Sequence, residues 1–141
     1  MKDLHNNSDV VSLLDPIVVS TTQTITDIDL AGFNSAELVI MAGLDAGAGL
    51  SSSHKIVFTL QDSDDGTTYA NVSDADMIGV SDISSGTILT IDGTDEDNTL
   101  YHFGYVGGCR YLQLVGTVTG TVSMPMSISL VKGHPLDAPP V

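Results

Sequence analysis

Asp62, Asp64 and Asp65 crowd three carboxylates into the stretch "LQDSDDGTTYANVSDAD" (Leu60–Asp76). Carboxylates this close can hold a hard cation such as calcium, or act as a catalytic acid–base set. An EF-hand loop needs oxygen ligands at its positions 1, 3 and 5, glycine at 6 and glutamate at 12. With Gly66 in the glycine position, Gln61 falls first and Val72 falls last, so both end requirements fail. The flanks also read as strands, where an EF-hand has helices. Asp-Gly between two alternating apolar runs is instead a hairpin signal, because glycine tolerates the positive φ of such turns. The stretch therefore predicts an exposed turn with no catalytic duty and no obligatory metal. Asp62, Asp64 and Asp65 remain the candidates if a surface calcium is bound. The second acidic run, "DGTDEDN" (Asp92–Asn98), reads the same way, as a solvated loop.

Other chemistry is sparse. His5, His54, His102 and His134 show no metal-ligand spacing. His102 lies between aromatic residues in strand-like sequence and reads as a satisfied strand histidine. Cys109 follows "GYVGG" and precedes Arg110. A nucleophilic cysteine needs a base and an electropositive pocket, which the neighbouring sequence does not announce, so a buried or half-buried thiol is expected. There is no G-x-S-x-G, P-loop or dinucleotide fingerprint. The expectation is a protein with no catalytic residues and no cofactor.

The elements that carry these residues are short and extended. The 141 residues suffice for one domain, and 42% of them are hydrophobic. The chain has two glutamates and only four Lys plus Arg, so the usual helix formers are scarce, while β-branched residues abound. "HKIVFTLQ" (His54–Gln61) alternates Ile56, Phe58 and Leu60 with Lys55, Val57 and Thr59. "TVSMPMSISLVKG" (Thr121–Gly133) places Met124, Met126, Ile128 and Leu130 on one face. Turn signals recur about every ten residues. The fold class is all-β: a single-domain β-sandwich, jelly-roll-like, of about eight short strands over residues 17–132. Residues 1–16, polar and ending at Asp15-Pro16, read as an arm or edge segment, and residues 133–141 as a second, proline-rich arm. Arms of this kind bind by adding a strand to a neighbour. Their candidate contact residues are Met1, Leu4, Val10, Val11, Leu13 and Leu14 at one end, and His134, Pro135, Leu136, Pro139 and Pro140 at the other.

The net charge is −14. That opposes binding to nucleic acid or to an anionic membrane, both of which need clustered Lys and Arg. It favours solubility and mutual repulsion between free copies. The N-terminus has no apolar core of a signal peptide, and no apolar run approaches 18 residues. The expected setting is the cytoplasm or an assembly built there.

Several stretches taken in order resemble small structural proteins encoded among the head genes of tailed bacteriophages and prophages. They are "MKDLHNN", "LQDSDDGTTYANVSDAD", "YHFGYVGGCRYLQLV" (Tyr101–Val115) and "SLVKGHPLDAP" (Ser129–Pro139). In broader character the chain resembles capsid decoration, or cement, proteins. The resemblance implies a virion protein on the outer surface of the capsid, made in the host cytoplasm, with the major capsid protein as partner. A tail or head–tail connector component is the alternative. A glycan-binding surface module ranks lower, with no Trp and few exposed aromatics to build a cleft. A homotrimer is expected, because sheet edges need protection and capsid lattices offer threefold positions.

Overall fold

Alternation decides which side chains go inside. On β10 (Met124–Pro135), Met124, Met126, Ile128 and Leu130 are buried, while Pro125, Ser127, Ser129 and Val131 face outward. On β4 (Lys55–Ser63), Ile56, Phe58 and Leu60 are buried. These are the inward sets expected from the period of two. Gly116 lies directly opposite Phe58 in the ladder. A Cβ there would come within 2.8 Å of the Phe58 ring, so the missing side chain is what lets the ring lie flat in the core.

The computed structural model describes residues 3–137. The other strands are β1 (Ser8–Val19), β2 (Gln23–Asp29), β3 (Phe33–Ala42), β5 (Ala70–Asn71), β6 (Met77–Ile78), β7 (Thr87–Ile91), β8 (Leu100–Tyr105) and β9 (Tyr111–Thr119). A front sheet runs β1-β10-β3-β8-β6 and a back sheet β2-β9-β4, with β7 and β5 both pairing the far side of β4. Every pairing is antiparallel. Apart from the β4 to β7 step, each connection between the eight longer strands crosses from one sheet to the other. The sheet orders 1-10-3-8 and 2-9-4-7 are those of a jelly roll. The fold is thus a β-sandwich whose core is filled by both inner faces. The strand total is ten because Ser8–Val19 forms a strand of its own and the two-residue ladders β5 and β6 are counted.

The N-terminal segment departs from expectation. From Ser8 onward it is not a free arm but the edge strand of the front sheet, paired with β10 from Ser8↔Gly133 to Val19↔Met124. Two register shifts, at Ser12/Leu14 and Leu14/Ile17, place Pro16 beside a bulge, where its missing N–H costs no ladder bond. Those bulges break the alternation that announces a strand. The C-terminal boundary moves too, since β10 runs through Gly133 to Pro135, paired with Ser35 and Phe33 of β3.

Removal of residues 1–7 is expected to leave the melting temperature within a few degrees of the intact chain, because the described part of that segment contributes no buried residue. Removal of residues 1–14 deletes half of β1, with Val11, Leu13 and Leu14, each half-buried. At about 1 kcal/mol for each, the loss is roughly 3 kcal/mol, or about 6–12 °C in Tm. Circular-dichroism melts of the two truncations check this ranking.

Candidate functional site

The acidic hairpin joins β4 to β5, with Gln61 facing Asn71 and Asp62 facing Ala70. Gly66 has φ +71, the left-handed conformation expected of it. The buried Ser63 hydroxyl accepts from the backbone N–H of Gly66 at 3.0 Å and of Asp65 at 3.3 Å, and donates to the Asp65 carboxylate. Asp65 in turn accepts from the N–H groups of Thr67 and Thr68, both at 2.8 Å. Those bonds, Thr68 first, hold its carboxyl well below the usual carboxylate range. Asp62 departs from the expected exposed turn. It is half-buried on β4 and accepts a 2.8 Å hydrogen bond from the Tyr105 hydroxyl of β8, tying the two sheets together. Asp62 and Asp65 therefore serve different partners, and no set of three or more His, Cys, Asp or Glu among the described residues is placed to hold a metal ion.

Beside this hairpin lies a cleft of about 330 Å³ between the β2–β3 turn and the β8–β9 loop, with Asp64, Tyr105, Cys109 and Arg110 in its wall. The Tyr105 oxygen accepts from the Cys109 N–H at 3.2 Å while its proton goes to Asp62. Burial, followed by the bond to Asp62, drives the phenol far above its ordinary value. The Cys109 thiol is pushed up to about 11 by desolvation and then by the nearby Asp62 and Asp64 carboxylates. A thiol so placed stays protonated at neutral pH, the opposite of what a nucleophile requires. Arg110, the nearest cation, is engaged by Asp29 through two bonds of 2.9 and 2.8 Å. That ion pair is the main reason the Asp29 carboxyl sits at about 2. Of the four histidines, His54 and His102 are likewise occupied. His54 Nδ1 accepts from the Thr121 N–H at 2.8 Å, and His102 Nδ1 meets Glu37 at 2.5 Å.

The expected arm residues divide. Leu4 is 74% exposed and Val10 is exposed, while Val11, Leu13 and Leu14 are half-buried in β1. His134 takes φ +51, its ring within 2.8 Å of the Ser35 hydroxyl, and Pro135 pairs with Phe33. The Leu136 N–H donates to Gly32, leaving its side chain 67% exposed. Met1, Pro139 and Pro140 lie outside the described residues. The described chain thus begins and ends at the same end of the front sheet, flanking a groove of about 680 Å³ between Leu4, Ser35, Glu37 and Val131.

Sequence alone did not reveal what the topology then assembles. On the outer face of the front sheet the side chains form rows: Val10, Val131, Glu37, Gly104 and Ile78; Ser12, Ser129, Val39 and His102; Ser127, Met41 and Leu100. On the back sheet the corresponding rows are Thr24, Val115, Thr59 and Thr87; Gln113, Gln61 and Asn71; Thr117, Val57 and Thr90. Among the described residues ten large hydrophobics are exposed. Six stand on front-sheet strands: Val10, Ile17 and Val18 on β1, Met41 on β3, Ile78 on β6 and Leu100 on β8. The other four, Leu4, Leu44, Val106 and Leu136, adjoin the ends of those strands. None of the ten lies on a back-sheet strand. The signal in sequence is weak, because each residue is ordinary alone and gains meaning only when the strands are assigned to sheets.

The geometry defines a jelly-roll sandwich with one apolar and one polar face. No protein-family model matches the chain, and no curated protein does. Three solved structures show distant similarity. A Bacillus endospore appendage subunit has 8% identity over 92% of this chain and 89% of that one, with a TM-score of 0.45. A protein of infectious bursal disease virus, Gx strain, has 16% identity over 92% of this chain and 32% of that one, with a TM-score of 0.36. The N-terminal modules of a Clostridium thermocellum endo-1,4-β-D-xylanase, complexed with xylohexaose, have 8% identity over 95% of this chain and 28% of that one, with a TM-score of 0.41.

Gly66→Val is expected to destabilise the domain by about 1–2 kcal/mol, the scale for a β-branched side chain at positive φ. Asp65→Asn should cost less, since an amide oxygen still accepts from Thr67 and Thr68. Urea midpoints of the two variants test the order. Acid should also weaken the fold. Asp29 and Asp65 are both held below the value of about 3.9 they regain on unfolding. The unfolded chain then binds more protons, so their contribution is complete above pH ~4 and is lost as pH falls toward ~2. Melts between pH 7 and pH 2 should decline in that window, and less steeply for Asp29→Asn.

Proposed function

We propose that this chain is a non-catalytic structural protein of a tailed-bacteriophage virion, one that decorates the capsid and assembles through its front sheet, whose groove end meets the particle. The observation that carries this reading is the one-sided surface: all ten exposed large hydrophobics among the described residues lie on or beside front-sheet strands. Contiguous exposed apolar surface marks an interaction site in a soluble protein. A jelly roll by itself supports many functions, so the argument rests on that surface and on the resemblance of the sequence to phage head proteins. The chemistry agrees. The thiol is kept protonated, Asp65 of the acidic hairpin is spent on its own backbone, and Asp62 is spent on Tyr105. The partner of the groove end, where Leu4 and Leu136 emerge, is the major capsid protein, and a solvated acidic rim opposes end-on aggregation of unassembled copies.

Immunogold or mass-tag mapping of purified particles tests the reading, with the protein expected on the outside of the shell. Val10→Glu alters an exposed residue and should leave the Tm within a few degrees, since surface substitutions change stability by only about 0.5 kcal/mol. The same variant should lower the copy number per particle severalfold. Recovery of the protein only in tails, or its absence from particles, would refute the assignment.

A further inference from the structure

The outer face of the front sheet has a shape and charge that fit one occupant. Four longer strands, β1, β10, β3 and β8, with the two-residue β6 at the edge, mark out roughly 650 Å² at about 3.3 Å per residue and about 4.8 Å per strand. A standard interface buries about 800 Å² per partner. The paired rows contain a single carboxylate, Glu37, which meets His102, in a chain whose net charge is −14. Two copies therefore repel each other less through this face than through the acidic loops at the ends of the sandwich. Asp3 and His134 border Glu37 across the groove at one end, and Asp15, its carboxylate bound by the Ser12 hydroxyl, lies on the β1 edge.

The relief of the face is self-complementary. The outward residues of β10 between its neighbours are small, Ser127 and Ser129, while Val18 and Met41 rise on either side. Together they bound an apolar hollow of about 490 Å³ over Pro125 and Ser127. Met41 and Leu100, paired across β3 and β8 and each 52% exposed, form a ridge beside it. Under a twofold axis the ridge of each copy enters the hollow of the other, which is the requirement of an isologous contact.

We propose that two copies of this chain pack front sheet to front sheet, with the Met41–Leu100 ridge of each seated over Ser127 of the other. The inference rests on the reading of the front sheet as the assembly surface and names its occupant as a second copy. It also replaces the expected trimer. That expectation arose from unprotected sheet edges, yet the β1 edge carries bulges and Pro16, and β5 and β6 are only two residues long. These are edge protections built into the chain itself.

Sedimentation velocity of the purified full chain tests the proposal, with a dimer expected at about 100 μM. Met41→Glu and Val18→Glu, each verified as folded by its melt, should weaken association at least tenfold. Thr117→Glu, on the exposed back face, should not change it. A monomer at that concentration, or an oligomer of any size that both front-face variants leave intact, overturns the proposal. The result is independent of particle mapping: a monomer found on shells would sink this contact alone, and a dimer absent from particles would sink the virion assignment alone.

Discussion

Loop backbone N–H groups need acceptors, and in this chain carboxylates supply them. Long connections leave the ladders that would otherwise satisfy these donors. Asp65 accepts from Thr67 and Thr68, Glu96 from Asp92 and Gly93, Asp29 from Ala31, Asp74 from Ile83 and Asp76 from Ser73. Asp45 and Asp97 join separate loops, Asp45 accepting from the Ser123 N–H and Asp97 from that of Asp45. Charge-assisted bonds of this type are stronger than neutral ones. Seven of the 18 acidic residues thus serve to fix loops. No group of three or more potential ligands gathers around the hairpin among the described residues: Asp65 turns to its own backbone and Asp62 to Tyr105.

β10 is the other structural dependence. It lies between β1 and β3, and its buried Met124, Met126, Ile128 and Leu130 run through the centre of the core. At its far end Lys132 continues the inward series. Its side chain is only 13% exposed, with Nζ 2.9 Å from Asp9 on β1 and 4.7 Å from the centre of the Phe33 ring. A lysine at that position closes the open end of the sandwich with its aliphatic stem and fastens the edge strand with its charge. Front and back are joined at the opposite side of the core by the Tyr105–Asp62 bond.

Much of this was legible in the sequence where the period of two is clean. Ile56, Phe58 and Leu60, and the methionine-rich run of β10, announce both their strands and their inward faces. The Asp-Gly hairpin and the positive φ of Gly66 follow from turn chemistry. Legibility fails where pairing overrides local pattern. β1 carries the doublets Val10-Val11 and Leu13-Leu14, then Asp15-Pro16, so its bulges scramble the alternation, and only the ladder with β10 identifies it as a strand. Asp62 could not be separated from Asp64 and Asp65 by composition, because its partner Tyr105 lies 43 residues away. The apolar face was hidden for the same reason: Met41 and Leu100 are distant in sequence and pair only because β3 and β8 are neighbours in the jelly roll.

Charge then selects among surfaces that packing alone leaves equivalent. Two of the four Lys and Arg are committed to ion pairs within the chain, Lys132 to Asp9 and Arg110 to Asp29. They neutralise carboxylates at the strand ends and leave the loop acids facing solvent. The back sheet is neutral along its rows but covered with Thr, Gln and Asn, whose hydroxyls and amides remain satisfied by water and gain little from being covered. The front sheet is equally poor in charge, but it exposes Val, Met and Leu, whose removal from water is favourable at about 25 cal/mol per Å². Repulsion between acidic rims therefore disfavours end-on approach, and hydration disfavours the back face. The direction that remains is onto the front sheet, where low charge and apolar surface coincide.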